Sequence, residues 1–424
     1  MRTLPTACRA NPSALRLAYL VSRYPAVSHT FILREVRALR ALGATVAVAS
    51  VNAPDRPAQR MTDAERDEAH ATYYVKRDGA AGALRAVLHC VLRHPGGCLR
   101  ALATSLTLGR GARRLYALAY LAEAAMVVRW MADRDLHHLH VHFATAGANV
   151  GLLARTIAPI GLSLTVHGPD EFDDVDGQHL RAKVRAADLV VCISQFARSQ
   201  LMRLSERAQW RKLQVCRLGV AEHAGSRMPA RGAATELLCV GRLTAAKGQH
   251  VLLDACARLR AQGCAFRLTL VGQGSDEASL RERVRQLGLG EHVCFAGALN
   301  EAEVRAALDA ADAFVLPSLA EGIPVVLMEA MAAGVPCISC PVNGIPELIE
   351  DGKSGLLASP GDADALAGSI RTLLEDADAR RRFAEAGRQH LREAFDLQQN
   401  VARLASLFVA LPHTGGATQP EGDQ

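Results

Sequence analysis

Apolar residues along this chain come in two rhythms. Short, mostly apolar runs such as Leu15 to Val21, Thr45 to Val51 and Phe266 to Val271 suit strands covered by helices. Between them lie longer stretches whose apolar positions recur at helical spacing. The first alternation sets the pattern: a strand at 15–21, a loop over 22–28, then a helix from about Thr30 to Leu42 with Leu33, Val36, Leu39 and Leu42 on one face. Gly43 closes that helix and a strand at 45–51 follows, which makes a βαβ unit and requires a parallel sheet. Residues 52–80 read as polar and irregular, 82–131 as helical, and 162–166, 188–193 and 212–215 as strands, with Ser194 capping a helix to about Leu204. A second series runs through strands at 236–240, 266–271, 292–295, 313–316 and 336–339. Its helices are at 251–262, 277–287, 301–308, from Val325, 364–375, 377–394 and 397–411.

Two such series predict an α/β protein with two doubly wound, Rossmann-like domains. The boundaries expected are a flexible N-terminus at 1–14, a first domain at 15–221, a linker at 222–234, and a second domain at 235–396. Helix 397–411 would pack back on the first domain, and 412–424 would be a disordered tail. Ligands of doubly wound sheets bind outside the strand C-terminal ends, so a cleft between the domains is the expected site.

Charge sharpens the division. Residues 1–225 carry 30 Lys and Arg against 18 Asp and Glu, a net of +12, while residues 226–424 carry 19 against 25, a net of −6. A basic first half admits phosphate-bearing partners, a lipid surface among them. Nucleic acid is disfavoured, because aromatics are only 4% of residues and do not interleave with the basic ones. The basic helical stretch 82–131, with Arg85, Arg93, Arg100, Arg110, Arg113, Arg114 and Arg129, reads in two ways: an amphipathic membrane patch, or helices covering a sheet with arginines in water. The breaks at Pro95-Gly96-Gly97 and Gly109 to Gly111 favour the second. No transmembrane run and no signal-peptide h-region are legible, and 11 scattered cysteines suit a reducing, cytoplasmic setting.

Candidate metal sites are weak. His138, His140 and His142 would line one strand face, a poor tetrahedral set, and Asp174 with Asp176 lacks a third ligand. The lone pair Cys337 and Cys340 reads as strand. The richer chemistry lies in the second half. Glu321 sits in a loop before a helix whose first turn holds Pro324, and Glu329 lies about one and a half turns inside it. The free N–H groups of Val325 and Val326 favour an anion, and a neighbouring carboxylate can hold a polyol. Arg242 and Lys247 occupy a glycine-flanked turn directly after a strand, as cations on a diphosphate would. The loop Asn343 to Glu347 should converge on the same place. Gly272-Gln273-Gly274 lacks the third glycine of a dinucleotide fingerprint, which argues against a dehydrogenase.

These residues resemble a known family. Gly241-Arg242-Leu243 with Lys247-Gly248, Val-Gly-x-Gly, Glu321-x₇-Glu329 and Gly344-Ile-Pro-Glu-Leu-Ile-Glu are together similar to glycosyltransferase family 4, over about residues 15–411. In the first half, Tyr24-Pro-Ala-Val-Ser28-His-Thr30-Phe31, His140-Val-His142-Phe143 and His167-Gly-x-Asp170 resemble the colanic-acid-type, exopolysaccharide-building branch. The resemblance implies the GT-B fold and retaining transfer from a nucleotide-diphosphate sugar to a saccharide or lipid-linked acceptor, with no cofactor and no metal. It implies donor contacts from Gly241, Arg242, Lys247, Glu321, Gly322, Ile323, Pro324, Val325 and Glu329. Of these, Arg242 and Lys247 would hold the diphosphate, Glu321 the sugar and Glu329 the ribose. His167 would stand near the reaction centre, and Ser28, Thr30, His142 and Asp170 on the acceptor side. Ser28 to Phe31 stand where many members have a Gly-Gly pair. A nucleotide-sugar epimerase and a non-catalytic nucleotide-sugar-binding module are the rival readings.

Overall fold

The computed structural model describes residues 14–108, 113–221 and 235–412. The expected flexible N-terminus, linker and tail fall outside them but for Ala14 and Pro412. Contacts group the described residues into two units. The first takes residues up to Ile193, Arg198–Cys216 and Asn400 onward; the second takes Ser194–Ala197 and Arg217–Gln399.

The first unit is built on β1 (Arg16–Arg23), α1 (Thr30–Ala41), β2 (Thr45–Asn52), α2 (Asp63–Ala71), β3 (Tyr73–Tyr74), α3 (Gly79–Arg93), α4 (Pro95–Thr107) and α5 (Arg113–Ala132). It continues with β4 (His138–His142), α6 (Ala146–Ile157), β5 (Gly161–Val166), α7 (Leu180–Ala186), β6 (Leu189–Cys192), α8 (Gln195–Leu204) from Arg198 onward, and β7 (Leu213–Val215). Its seven strands are all parallel in the order β3-β2-β1-β4-β5-β6-β7. The order reverses between β1 and β4, where a doubly wound sheet opens its binding crevice. The central strands are mostly apolar because helices cover both faces: all of β5 and Leu17 to Val21 of β1 are buried.

The second unit holds β8 (Thr235–Val240), α9 (Gln249–Ala261), β9 (Phe266–Val271), α10 (Glu277–Gln286), β10 (Val293–Gly297), α11 (Glu301–Ala310) and β11 (Ala313–Leu316). It ends with α12 (Val325–Ala332), β12 (Cys337–Ser339), β13 (Leu356–Leu357), α13 (Ala363–Glu375), α14 (Ala377–Ala394) and the start of α15 (Leu397–Val409). Its sheet is also parallel, ordered β10-β9-β8-β11-β12-β13.

Two expectations change. The stretch 52–80 is ordered: Thr62 and Glu65 form a reciprocal capping box that starts α2, and β3 pairs with β2. The first unit ends at Cys216 rather than 221, because Val220 donates its N–H to Phe395 at 3.0 Å and bridges Asp396 within the second. The helical stretch 82–131 is three helices, with Pro95 opening α4 where its missing N–H has no partner to lose. From Asn400 onward α15 groups with the first unit, where the Phe408 ring lies 5.0 Å from that of His140.

Candidate functional site

In the second unit two neighbouring strands, β8 and β11, deliver their following loops to one place. After β8 the chain runs through Gly241 and Arg242 into a tight turn, Ala245–Lys247, before α9. Gly248 there has φ +66°, and a Cβ on it would lie 2.1 Å from the Pro317 carbonyl oxygen. Only glycine allows this approach of the two loops. Leu319 N–H donates to Ala246 O at 2.8 Å across the same seam. The Lys247 ammonium is ion-paired with the Glu321 carboxylate, and Ser318 Oγ donates to that carboxylate at 2.8 Å. Ser318 and Glu321 are buried, while Lys247 is half-buried.

The arginine loop is braced from below. Leu243 N–H donates to Gln273 O at 3.0 Å, and Asp276 N–H donates to Leu243 O at 3.0 Å. This is the work of the Gly272-Gln273-Gly274 turn. The Gln249 side-chain amide donates to Arg242 O at 2.9 Å. With its backbone so held, Arg242 points its side chain to solvent, and its guanidinium has no ion-pair partner among the described residues. A fixed backbone carrying an unpaired guanidinium is a ready clamp for a phosphate or carboxylate.

Beyond Glu321, Gly322 leads through buried Ile323 and Pro324 into α12, whose first turn presents Val325 and Val326. Its first-turn N–H groups lack partners within the helix and carry the positive end of its dipole. Glu329, half-buried, is the fifth residue of α12. The Asn343–Glu347 loop reaches this turn through Gly344, where a Cβ would stand 2.3 Å from Gly322 O. Glu347 itself is turned elsewhere, accepting the N–H groups of Gln195 and Phe196 at 3.0 and 2.9 Å and an Arg217 N–H at 3.2 Å. The turn therefore combines two cations, a helix N-terminus and two carboxylates at adjacent strand ends, a set suited to a polyanion joined to a polyol.

In the first unit a second cluster gathers at the ends of β1, β4 and β5. The Glu35 carboxylate accepts from Tyr19 OH at 2.8 Å and meets His142 Nε2 at 3.1 Å. His142 Nδ1 meets His167 Nε2 at 3.0 Å. A carboxylate only accepts, so His142 donates through Nε2. With His142 carrying a single proton, its Nδ1 accepts from His167 Nε2–H, which leaves His167 Nδ1 as a bare acceptor with no partner among the described residues. Phe31 and Phe143 pack on His167 at ring distances of 5.0 and 4.3 Å. Burial, with His142 and His29 nearby, holds the His167 imidazole well below its ordinary range, so it is neutral at neutral pH.

This geometry corrects one expectation. His142 is fully buried with both ring nitrogens engaged, so it positions His167 and does not reach an acceptor. Ser28 and Asp170 are exposed and Thr30 is half-buried; Ser28 and Thr30 flank His29, whose ring lies 4.8 Å from Phe143. Glu35, His140 and His142 offer ligand atoms within 4.8 Å of one another. All four imidazole nitrogens are already occupied, those of His140 by Ser163 at 2.8 Å and Thr165 at 2.9 Å, so the group is a hydrogen-bond network as it stands.

Sequence reasoning missed Glu171 and Lys183. The Glu171 carboxylate accepts three backbone N–H groups, from Ala144, His167 and Gly168. Fully buried Lys183 donates to Ala144 O at 2.7 Å and Thr145 O at 2.8 Å. Burial pushes Glu171 up and Lys183 down; the backbone donors and Lys183 oppose the first shift, and Glu171 opposes the second. Together they tie the loops after β4 and β5 and so fix His167. Glu171 could have been flagged by its spacing from Gly168, whereas Lys183 reads as an ordinary helix-surface lysine.

Known proteins similar to this chain supply the family. The family model for glycosyl transferases group 1 matches residues 229–390, the span holding Arg242, Lys247, Glu321 and Glu329. The proposed colanic acid biosynthesis glycosyltransferase WcaL of Escherichia coli (strain K12) is 31% identical over 412 residues, 94% of this chain and 100% of that protein. The amylovoran biosynthesis glycosyltransferase AmsK of Erwinia amylovora is 32% identical over 381 residues, 85% and 90% of the two chains. Among solved structures, Anabaena Alr3699/HepE in complex with UDP and glucose is similar with a TM-score of 0.71 and 20% identity, covering 94% of this chain and 100% of that one. The chain belongs to the group 1 glycosyltransferases, and its two Rossmann-like units are those of the GT-B fold. It is a glycosyltransferase, and no helix among its described residues is long and apolar enough to cross a membrane.

Proposed function

We propose that this enzyme transfers a sugar, with retention, from a nucleotide-diphosphate sugar to a saccharide or lipid-linked saccharide acceptor. The process is assembly of an exopolysaccharide or other cell-surface polysaccharide, at the cytoplasmic face of the membrane. The observation that carries the donor assignment is the unpaired Arg242 beside the Lys247–Glu321 pair, at adjacent strand ends and with the α12 N-terminus following. Relatives named for colanic acid and amylovoran biosynthesis support the process, and neighbours holding UDP support the donor class.

In this reading Arg242, Lys247 and the α12 N–H groups stabilise charge growing on the leaving diphosphate, a task for which one lost donor typically costs about 2.7–4 kcal/mol of barrier. Glu321 and the Gly322 to Pro324 turn hold the sugar, Glu329 the ribose, and a donor phosphate oxygen takes the acceptor's proton. His167 accepts a hydroxyl hydrogen bond through Nδ1. Ser28, Thr30 and Asp170 serve the acceptor. No metal is required, because the cations needed for the diphosphate are supplied by side chains.

The test is a panel of UDP- and GDP-sugars with a lipid-linked saccharide extract, with and without EDTA, read by product mass and the anomeric configuration of the new bond. A retained anomer formed in EDTA is the expected result. Epimerised donor without acceptor would favour the epimerase, and donor binding with no turnover on any acceptor a binding module; either overturns the reading.

A further inference from the structure

Two helices of the first unit are built inside out. In α3 the buried positions are Gly82, Ala86 and Cys90, and in α4 they are Gly97, Ala101 and Ser105. Each set recurs every four residues, so each helix leans on its neighbours along a stripe of small side chains. At Gly97 a Cβ would stand 1.9 Å from Ile157 O. The large aliphatic side chains face out: Leu84 at 71%, Leu88 at 56% and Leu92 at 74% exposed on α3, and Leu99 at 71% and Leu106 at 52% on α4. An ordinary surface helix shows the reverse, with its leucines inside. Ten of the twelve exposed large hydrophobic side chains among the described residues lie between Leu84 and Leu118; the other two are Val27 and Leu319. Scattered exposed leucines need no explanation, but a concentration on adjoining helices does.

Charge says what covers this face. Between Asp78 and Glu123 the sequence holds six arginines and no acid. Arg85, Arg93 and Arg100 are exposed among the leucines, and none has an ion-pair partner among the described residues. A second copy meeting the same face would set arginine against arginine. An anionic lipid surface offers what the face lacks: acyl chains for the leucines and phosphates for the guanidiniums.

We propose that α3 and α4 form a membrane-docking surface that inserts its leucines into an anionic bilayer, with Arg85, Arg93 and Arg100 at the headgroup phosphates. This deepens the membrane-side placement given above by naming the surface and the lipid class. The site residues lie elsewhere in the chain, so docking and chemistry are separable.

Flotation of the full chain with phosphatidylcholine vesicles, alone or with added phosphatidylglycerol, tests it at low and high salt. The wild type should float with the anionic vesicles. High salt should weaken but not abolish binding, since the apolar term is not screened. Leu88→Ser with Leu92→Ser should weaken partitioning about tenfold or more, and Arg93→Gln with Arg100→Gln should remove most of the salt dependence. Both variants alter exposed side chains and should keep the wild-type Tm and its rise with UDP. Absence of flotation at low salt, or flotation indifferent to both substitutions, would overturn the proposal. So would light scattering that shows a dimer which Leu88→Ser with Leu92→Ser converts to monomer. A chain that transfers sugar but does not float refutes docking alone; one that floats but transfers nothing refutes the enzymatic reading alone.

Discussion

The decisive residues are cations in unequal states. Lys247 is already neutralised by Glu321, whereas Arg242 has no ion-pair partner among the described residues, so under the proposed function an arriving diphosphate would meet Arg242 first and would then share Lys247 with the carboxylate. Arg242→Lys keeps the charge but loses the bidentate fork, and UDP binding measured by calorimetry should weaken about tenfold. Lys247→Ala and Glu321→Ala should each nearly abolish transfer while circular dichroism stays unchanged; wild-type-like transfer by both would remove their assigned roles. Glu35 acts at one remove, because it sets which nitrogen of His142, and so of His167, carries the proton. Glu35→Gln can donate as well as accept, and should lower kcat by about tenfold with little change in donor KM. An unchanged kcat would show that the relay serves packing only.

At the scale of elements, the seam between the Ala245–Lys247 turn and the loop after β11 depends on Gly248. Gly248→Ala must either take up a positive φ or push Pro317 away. The expected loss is about 1–3 kcal/mol of stability together with weaker UDP binding, read by Tm and calorimetry on the same sample. The strands were legible because parallel strands covered on both faces are rich in apolar residues, as from Leu17 to Val21 of β1. The element α2 is hidden in a polar stretch without apolar periodicity, although Thr62 and Glu65 spell its start. The helices α3 and α4 were legible as helices but not in their orientation. Periodicity reports that a leucine stripe exists, and not which side the sheet occupies.

For the molecule as a whole, pH and ligand should act on stability. Burial pushes His138 down to about 4 and holds His140 and His167 well below the ordinary value. Below about pH 6.5 the unfolded chain binds protons that these folded sites refuse, so stability is full above that pH and falls as the pH drops towards the folded values. Each group contributes up to about 1.4 kcal/mol per pH unit. Through these histidines Tm should fall steeply from about pH 6.5 towards pH 5; a flat profile to pH 5 would mean that the histidines titrate freely. Saturating UDP should raise Tm, by the equivalent of about 2.7 kcal/mol at a hundredfold excess over Kd.

The sequence alone determined the two parallel α/β series and the motifs that place Arg242, Lys247, Glu321 and Glu329 beside strand ends, because these follow from local periodicity and from backbone needs at glycine and proline. It also carried the family, since those motifs are contiguous. What tertiary structure decided are relations between residues far apart in the chain. They include the pairing of Lys247 with Glu321, the Glu35–His142–His167 relay, the buried Glu171 and Lys183 that tie two loops, and the outward turn of the leucines on α3 and α4. A buried polar side chain and a surface one have the same letter. Only the packing around each decides whether it meets water, a backbone amide or another side chain.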